Sequence, residues 1–246
     1  FVLRGKKMSK KKILFFHQNF PGQYKHLAPE LAKIKNYDVH TLSLASEKTY
    51  SLEDLEKNLK NMTHYKYTIT EGNSSGTNRL AIEFETKMIR ASAVLKRALE
   101  LKDNGFDPDL LIVHPGWGEG FVLKEVWPNS KIINYFEFFY NTKNSDVDFD
   151  LKEDSRPGYD IDLRTRLVAR NAPFLSACNQ SDVMISPTEF QRSTAPTEYR
   201  DKIRVVHDGI DTNTLTSKPD ASITLKSESD SEKRVILTKK DKVIAF

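Results

Sequence analysis

Between Lys11 and about Asp211, short and nearly uninterrupted apolar runs alternate with longer amphipathic stretches, and this alternation restricts the possible folds more than any other feature. A run such as KILFF (12–16) or LLIVH (110–114) offers no polar face to water, so as a strand it must be covered on both sides. The amphipathic segments between the runs supply that cover. The pattern therefore predicts an α/β fold, a Rossmann-like parallel sheet with helices on both faces. Strands are expected at 12–16, 38–44, 65–70, 110–114, 131–136, 183–186 and 203–206.

The longest helical pattern begins near Asn78, a good cap for the orphan amides of a first turn, and ends at Gly105, which can take the left-handed conformation that closes a helix. Its apolar residues Leu80, Phe84, Met88, Ala91, Leu95 and Ala98 step by three or four and predict one core-facing stripe. A second helix is expected over Leu163–Gln180, kinked or broken at Pro173, which lacks a backbone donor. Thr212–Lys233 is rich in Ser, Thr, Asp, Glu and Lys and reads as a linker, and the short runs Val235–Leu237 and Val243–Phe246 read as the truncated start of another domain. The expected organisation is a disordered basic leader over 1–11, one Rossmann-like domain over 12–211, and linker plus truncated domain over 212–246.

Length and composition exclude several classes. With 246 residues, 38 % of them apolar, the chain can bury roughly 70–75 % of its unfolded surface without disulfides or a structural metal. The single Cys178 has no partner within the chain, which points to a reducing, cytoplasmic setting and to a small buried apolar role. The formal charge of +4 is concentrated at the start, where Arg4, Lys6, Lys7, Lys10, Lys11 and Lys12 face no acid. Removing those six from 38 basic residues leaves 32 against 34 acidic ones, so the body is about −2 and no nucleic-acid partner is expected. The leader raises at most a weak peripheral contact with anionic lipid. No apolar run near the start is long enough for a membrane span or a signal peptide.

In a parallel sheet, ligands bind beyond the carboxyl ends of the strands, and unusual residues gather there. HQNFPGQ (17–23) places Gly22 and Gln23 at a tight turn before a helix expected to start near Gln23, where backbone can approach an anion. HPGWGEG (114–120) combines an imidazole (His114), an indole (Trp117), a carboxylate (Glu119) and three glycines that include Gly116, too costly to order for a mere connection. His114 can bond a sugar hydroxyl and Trp117 can stack on a sugar face. Glu137 interrupts five aromatics in NYFEFFY (134–140), Ser186 or Thr188 can cap a helix carrying Arg192, and HDGID (207–211) turns at Gly209. There is no G-x-G-x-x-G after the first strand, no G-x-x-x-x-G-K-[ST], no H-E-x-x-H or Cys/His cluster and no G-x-S-x-G.

Taken together and in order, ILFFHQNFPGQYKHLAPELA, HPGWGEGFVLKEVWP, NYFEFFY, SPTEFQRS and VVHDGIDT resemble the N-terminal domain of glycosyltransferase family 4 proteins, over about residues 12–216. The resemblance implies one half of a GT-B architecture, in which an acceptor-side domain faces a donor-binding domain. It implies a retaining transfer of the hexosyltransferase type from a UDP- or GDP-sugar to a glycan, lipid or small-molecule acceptor, with no metal and no cofactor. His114 matches the histidine that contacts the transferred sugar, Gly22 the loop near the donor diphosphate, and Gly209 and Asp211 the hinge. Gln23, Gly116, Trp117, Glu119, Glu137 and Arg192 fit substrate-facing positions. The donor-binding half would lie beyond this chain, so the chain alone is expected to be inactive. A nucleotide-sugar epimerase of the same architecture and a non-catalytic binding module are the alternatives.

Overall fold

The computed structural model describes residues 9–45, 60–142, 145, 161–227 and 233–243. Residues 1–8 of the basic leader, much of the segment after Asn141 and the final run 244–246 lie outside the described residues. The chain divides into two compact units, Phe1–His207 and Asp208–Phe246.

The first unit is a seven-stranded sheet of β1 (Lys11–Phe16), β2 (Tyr37–Leu44), β3 (Thr63–Tyr67), β4 (Leu110–Val113), β5 (Lys131–Tyr135), β6 (Val183–Ser186) and β7 (Ile203–Val205). All neighbours are parallel, in the order β3-β2-β1-β4-β5-β6-β7. The Rossmann-like α/β class is therefore as expected. Six strands fall within two residues of their predicted bounds, whereas β3 sits at Thr63–Tyr67 rather than 65–70. Its last residues pair with β2 as far as Leu44↔Tyr67, so the sheet ends where the partner strand does.

Successive side chains of a strand point to opposite faces, and the core divides accordingly. Leu14, Phe16, Leu111, Val113 and Ile132 pack on one face with Val94, Ala98 and Leu101 of helix α2 (Ile82–Asp103) and with Trp127. Ile13, Phe15, Val39 and Ile112 pack on the other with Phe20, Tyr24 and Ala28, the last from α1 (Leu27–Lys33). Phe136 and Met184 meet Phe174 and Cys178 of a later helix in a third cluster. Cys178 is fully buried, and burial pushes its thiol up to about 12. The expected stripe on α2 is rotated, because Ala91, Val94, Ala98 and Leu101 are the buried positions.

Local chemistry fixes the ends. Asn78 accepts from the Leu80 amide at 2.9 Å, but α2 begins only at Ile82, since Glu85 reaches back to Ser74 and Thr77 and holds the preceding turn. Gly105 closes the helix at φ +79°. After β1, a single 3₁₀ turn at Gly22–Tyr24 precedes α1, so the helix starts four residues later than expected. The short α3 (Leu123–Val126) follows β4. Helix α4 (Ile161–Gln180) runs through Pro173 without the break that was one of the two expected outcomes. A proline crowds the turn before it, and there the Arg170 carbonyl accepts from Lys87 Nζ at 2.8 Å. Thr188, rather than Ser186, caps α5 (Glu189–Thr194) by accepting from the Gln191 amide at 3.1 Å. Helix α6 (Thr197–Arg200) leads into β7.

In the second unit, β8 (Ser222–Lys226) and β9 (Arg234–Thr238) form an antiparallel pair. Part of the stretch expected as linker is thus a strand. Ile223 and Leu225 alternate with polar neighbours there, a period-2 signal hidden by the polar composition. No helix among the described residues is long and apolar enough to cross a membrane.

Candidate functional site

The strand order reverses between β1 and β4, since the chain proceeds outward to β2 on one side and to β5 on the other. Loops leaving the carboxyl ends of two such strands diverge and open a crevice. His17 is the first residue after β1 and His114 the first after β4, and Phe16 pairs directly with Val113. Register alone therefore brings the two imidazoles together, with ring centroids 5.2 Å apart at 70°.

The polar contacts around them form a chain. His17 Nδ1 accepts from the Asn19 amide at 3.0 Å, which leaves Nε2–H to donate to Gln23 Oε1 at 2.7 Å. Gln23 Nε2 donates to Glu137 Oε1 at 3.3 Å, and the other carboxylate oxygen lies 3.1 Å from His114 Nε2. The hydrogen bond from His114 holds the Glu137 carboxyl below its ordinary range, with Gln23 and the His17 charge acting the same way against partial burial. Burial, reinforced by the charge of His114, lowers His17 to about 4. His114 is 2 % exposed and stacks on Tyr135 at 5.6 Å, and its Nδ1 is buried with no hydrogen-bond partner among the described residues.

Glycine is required at two points of this assembly. Gly22 has φ +47°, and a Cβ there would stand 2.4 Å from the His17 ring. Gly118 has φ +108°, and a Cβ there would stand 2.4 Å from the Lys87 carbonyl oxygen. The HPGWGEG turn thus lies directly on the backbone of α2.

A hollow of about 210 Å³ opens beside His114, with Gly116 and Trp117 on one side, Glu137 beyond β5 on another, and side chains of α2 and α4 closing it. Trp117 is 44 % exposed at its rim and is not a core residue.

Residues 40–215 match the model of the glycosyl transferase family 4 group. The chain belongs to that group. No curated protein matches significantly. Among solved structures, Phytolacca americana UGT2, complexed with UDP-2fluoro-glucose and pterostilbene, superposes with a TM-score of 0.50 at 11 % identity, over 82 % of this chain and 55 % of that one. Acinetobacter baumannii MurG gives 0.44 at 13 % identity over 85 % and 50 %, and a UDP-N-acetylglucosamine 2-epimerase gives 0.47 at 17 % over 80 % and 48 %. At 11 % identity the likeness to UGT2 is one of fold. The chain spans about half the length of the solved structures it matches.

Not every residue singled out in this family 4 domain reaches the hollow. His114, Gly116, Trp117 and Glu137 line it, and Gln23 joins it through Glu137. Glu119 lies beneath, fully buried, accepting from the Tyr67 hydroxyl at 2.9 Å, and burial raises its carboxyl against the opposing pull of Arg90. Arg192 is spent on α5 and α6, donating to the Arg200 carbonyl at 3.2 Å and to Glu189 at 3.3 Å. Gly209 and Asp211 belong to the second unit, where Gly209 has φ +84° and Asp211 accepts from the Asn213 and Thr214 amides.

Sequence reasoning missed His17, Lys87, Arg90 and Arg170. His17 had a readable signal, because it stands first after its strand as His114 does. The three cations had none. Lys87 and Arg90 sit on a helix whose polar face reads as solvated, and only the packing of α4 against α2 turns that face into a wall.

Proposed function

We propose that this domain is the acceptor side of a retaining glycosyltransferase, which moves a hexosyl group from a UDP- or GDP-sugar to an acceptor hydroxyl. The observation that carries the reading is the His114–Glu137 pair at 3.1 Å on the wall of the hollow beyond β4 and β5. His114 contacts the transferred sugar, Glu137 accepts from its hydroxyls, and Trp117 covers one of its faces. The turn at Gly22 and Gln23, backed by His17, faces the donor diphosphate. Breaking the sugar–phosphate bond leaves negative charge on the phosphate, and each preset donor aimed at that charge is worth about 3–4 kcal/mol. No protein nucleophile is invoked, and the departing phosphate itself takes the acceptor proton. Gly209 and Asp211 serve as the hinge to a donor-binding domain.

The test uses the protein expressed from its complete open reading frame, supplied with UDP- and GDP-sugars. His114→Ala is expected to lower transfer, or donor hydrolysis where no acceptor is present, by about a hundredfold. Unchanged turnover would remove His114 from the site, and conversion of the donor into an epimeric nucleotide sugar would replace transfer by epimerisation.

A further inference from the structure

The hollow carries more positive charge than a neutral sugar needs. Lys87 and Arg90 from α2 and Arg170 from α4 face it, against the two carboxylates of Glu83 and Glu137. Both carboxylates are engaged, Glu137 by His114 and Gln23, Glu83 by Arg170 Nε at 3.3 Å. Arg90 is also committed, being bonded to Gln18 and to Tyr67 and placed beside Glu119.

Lys87 and Arg170 retain donors. Lys87 Nζ makes one bond, to the Arg170 carbonyl at 2.8 Å, and has no carboxylate partner among the described residues. The Arg170 guanidinium lies 3.6 Å over the Tyr140 ring, and the Asn171 side chain fixes the Tyr140 carbonyl at 2.8 Å. Its plane is therefore held in place, with the terminal amino groups left over once Nε has met Glu83. Two cations from different helices, one of them a rigid fork, suit a planar or tetrahedral oxyanion. Burial and the neighbouring Arg170 lower the Lys87 ammonium to about 8, so this side of the hollow resists further positive charge.

We propose that Lys87 and Arg170 bind an anionic substituent, a carboxylate or a phosphate monoester, on the acceptor sugar. Neither Gly22 nor Gln23 lines this wall, so the anion is distinct from the donor diphosphate. His114, Trp117 and Glu137 hold the strand-end side of the hollow and Lys87 and Arg170 its α2 and α4 wall, so the transferred sugar and the acceptor's charged group meet different sides. The inference rests on the transferase reading in calling the ligand an acceptor and in giving the donor diphosphate to the turn at Gly22 and Gln23.

The experiment titrates this chain with glucose 6-phosphate, glucuronate and glucose, following Trp117 fluorescence and amide shifts. At least one acidic sugar is expected to bind about tenfold more tightly than glucose, and Lys87→Met and Arg170→Gln each to remove that advantage, with Lys87→Arg retaining it. The two acidic arms separate phosphate from carboxylate recognition. Equal binding of all three sugars, no binding of either acid, or acid binding unchanged in folded Lys87→Met and Arg170→Gln overturns the proposal. In the complete protein, Lys87→Met should raise the KM for the acidic acceptor about tenfold, and by a larger factor than it changes the KM for the nucleotide sugar. An equal or larger rise in the nucleotide-sugar KM would assign the cations to the donor and overturn the acceptor role. Loss of transfer in His114→Ala, or its absence altogether, bears on the transferase reading and leaves the anion titration unaffected.

Discussion

His17 and His114 meet edge to face at the point where the strand order reverses, and the pair is linked through Gln23 and Glu137 into one hydrogen-bonded chain. Both imidazoles are buried, and the charge of His114 works with burial against protonation of His17. The pair is best satisfied when His17 is neutral and Glu137 is ionised, a charge state that the fold selects.

That preference predicts a stability change with pH. In the fold His17 titrates at about 4 instead of its ordinary 6.5, so between these values the unfolded chain binds a proton that the folded chain refuses. Stability therefore falls as pH drops from about 6.5 towards 4, by about 3 kcal/mol in total from this residue. Urea unfolding across that window should show the loss, and the difference between wild type and His17→Gln should isolate it. A difference that is flat in pH would place His17 in a more polar setting.

Glu119 works in the opposite direction. Burial raises its carboxyl, so the folded chain holds a proton that the unfolded chain releases as pH rises above the ordinary carboxyl value, and stability falls over that interval. Glu119→Gln removes this penalty while keeping an acceptor for the Tyr67 hydroxyl. The variant should gain on the wild type as pH is raised towards neutrality, with a sign opposite to that of His17→Gln in the same unfolding series.

Gly118→Ala should cost about 2–4 kcal/mol, because the methyl group both demands a left-handed backbone and meets the Lys87 carbonyl at 2.4 Å. Gly76→Ala, with open space around it, should stay within about 0.5 kcal/mol of the wild type. Denaturant midpoints at constant slope compare the two. Near-equal midpoints would mean that the turn is not seated on α2.

The two tryptophans should separate cleanly in quenching. Trp117 is 44 % exposed, whereas Trp127 is 1 % exposed and donates to the Phe106 carbonyl at 3.1 Å. Acrylamide should quench one component only, and Trp117→Phe should abolish it. Trp127→Ala should cost about 3–5 kcal/mol of stability, measured by the same unfolding assay.

How far the site could be read from sequence depended on how each residue is held in place. His114, Gly116, Trp117 and Glu137 were legible because each sits within a few residues of a strand end, and strand ends follow from local apolar runs. Glu119 sits in the same seven-residue motif, yet it points into the interior, since the tight 3₁₀ turn at Pro115–Trp117 and the left-handed Gly118 reverse the chain between Trp117 and Glu119. Arg192 looked available in a polar turn, but its guanidinium closes the gap between α5 and α6.

The sequence by itself determined the layered sheet, because continuous apolar runs have no stable arrangement except as strands covered on both faces. It also placed the imidazole and glycine turns at the strands' carboxyl ends, since the order of apolar runs and turns is written along the chain. Only the tertiary structure decided which turns face one another and which charges meet. That His17 lies against His114 follows from parallel pairing of β1 with β4, and that Lys87 meets Arg170 follows from two helices distant in sequence packing side by side. Such contacts are set by register and packing across long chain separations, and one sequence carries no local pattern that records them.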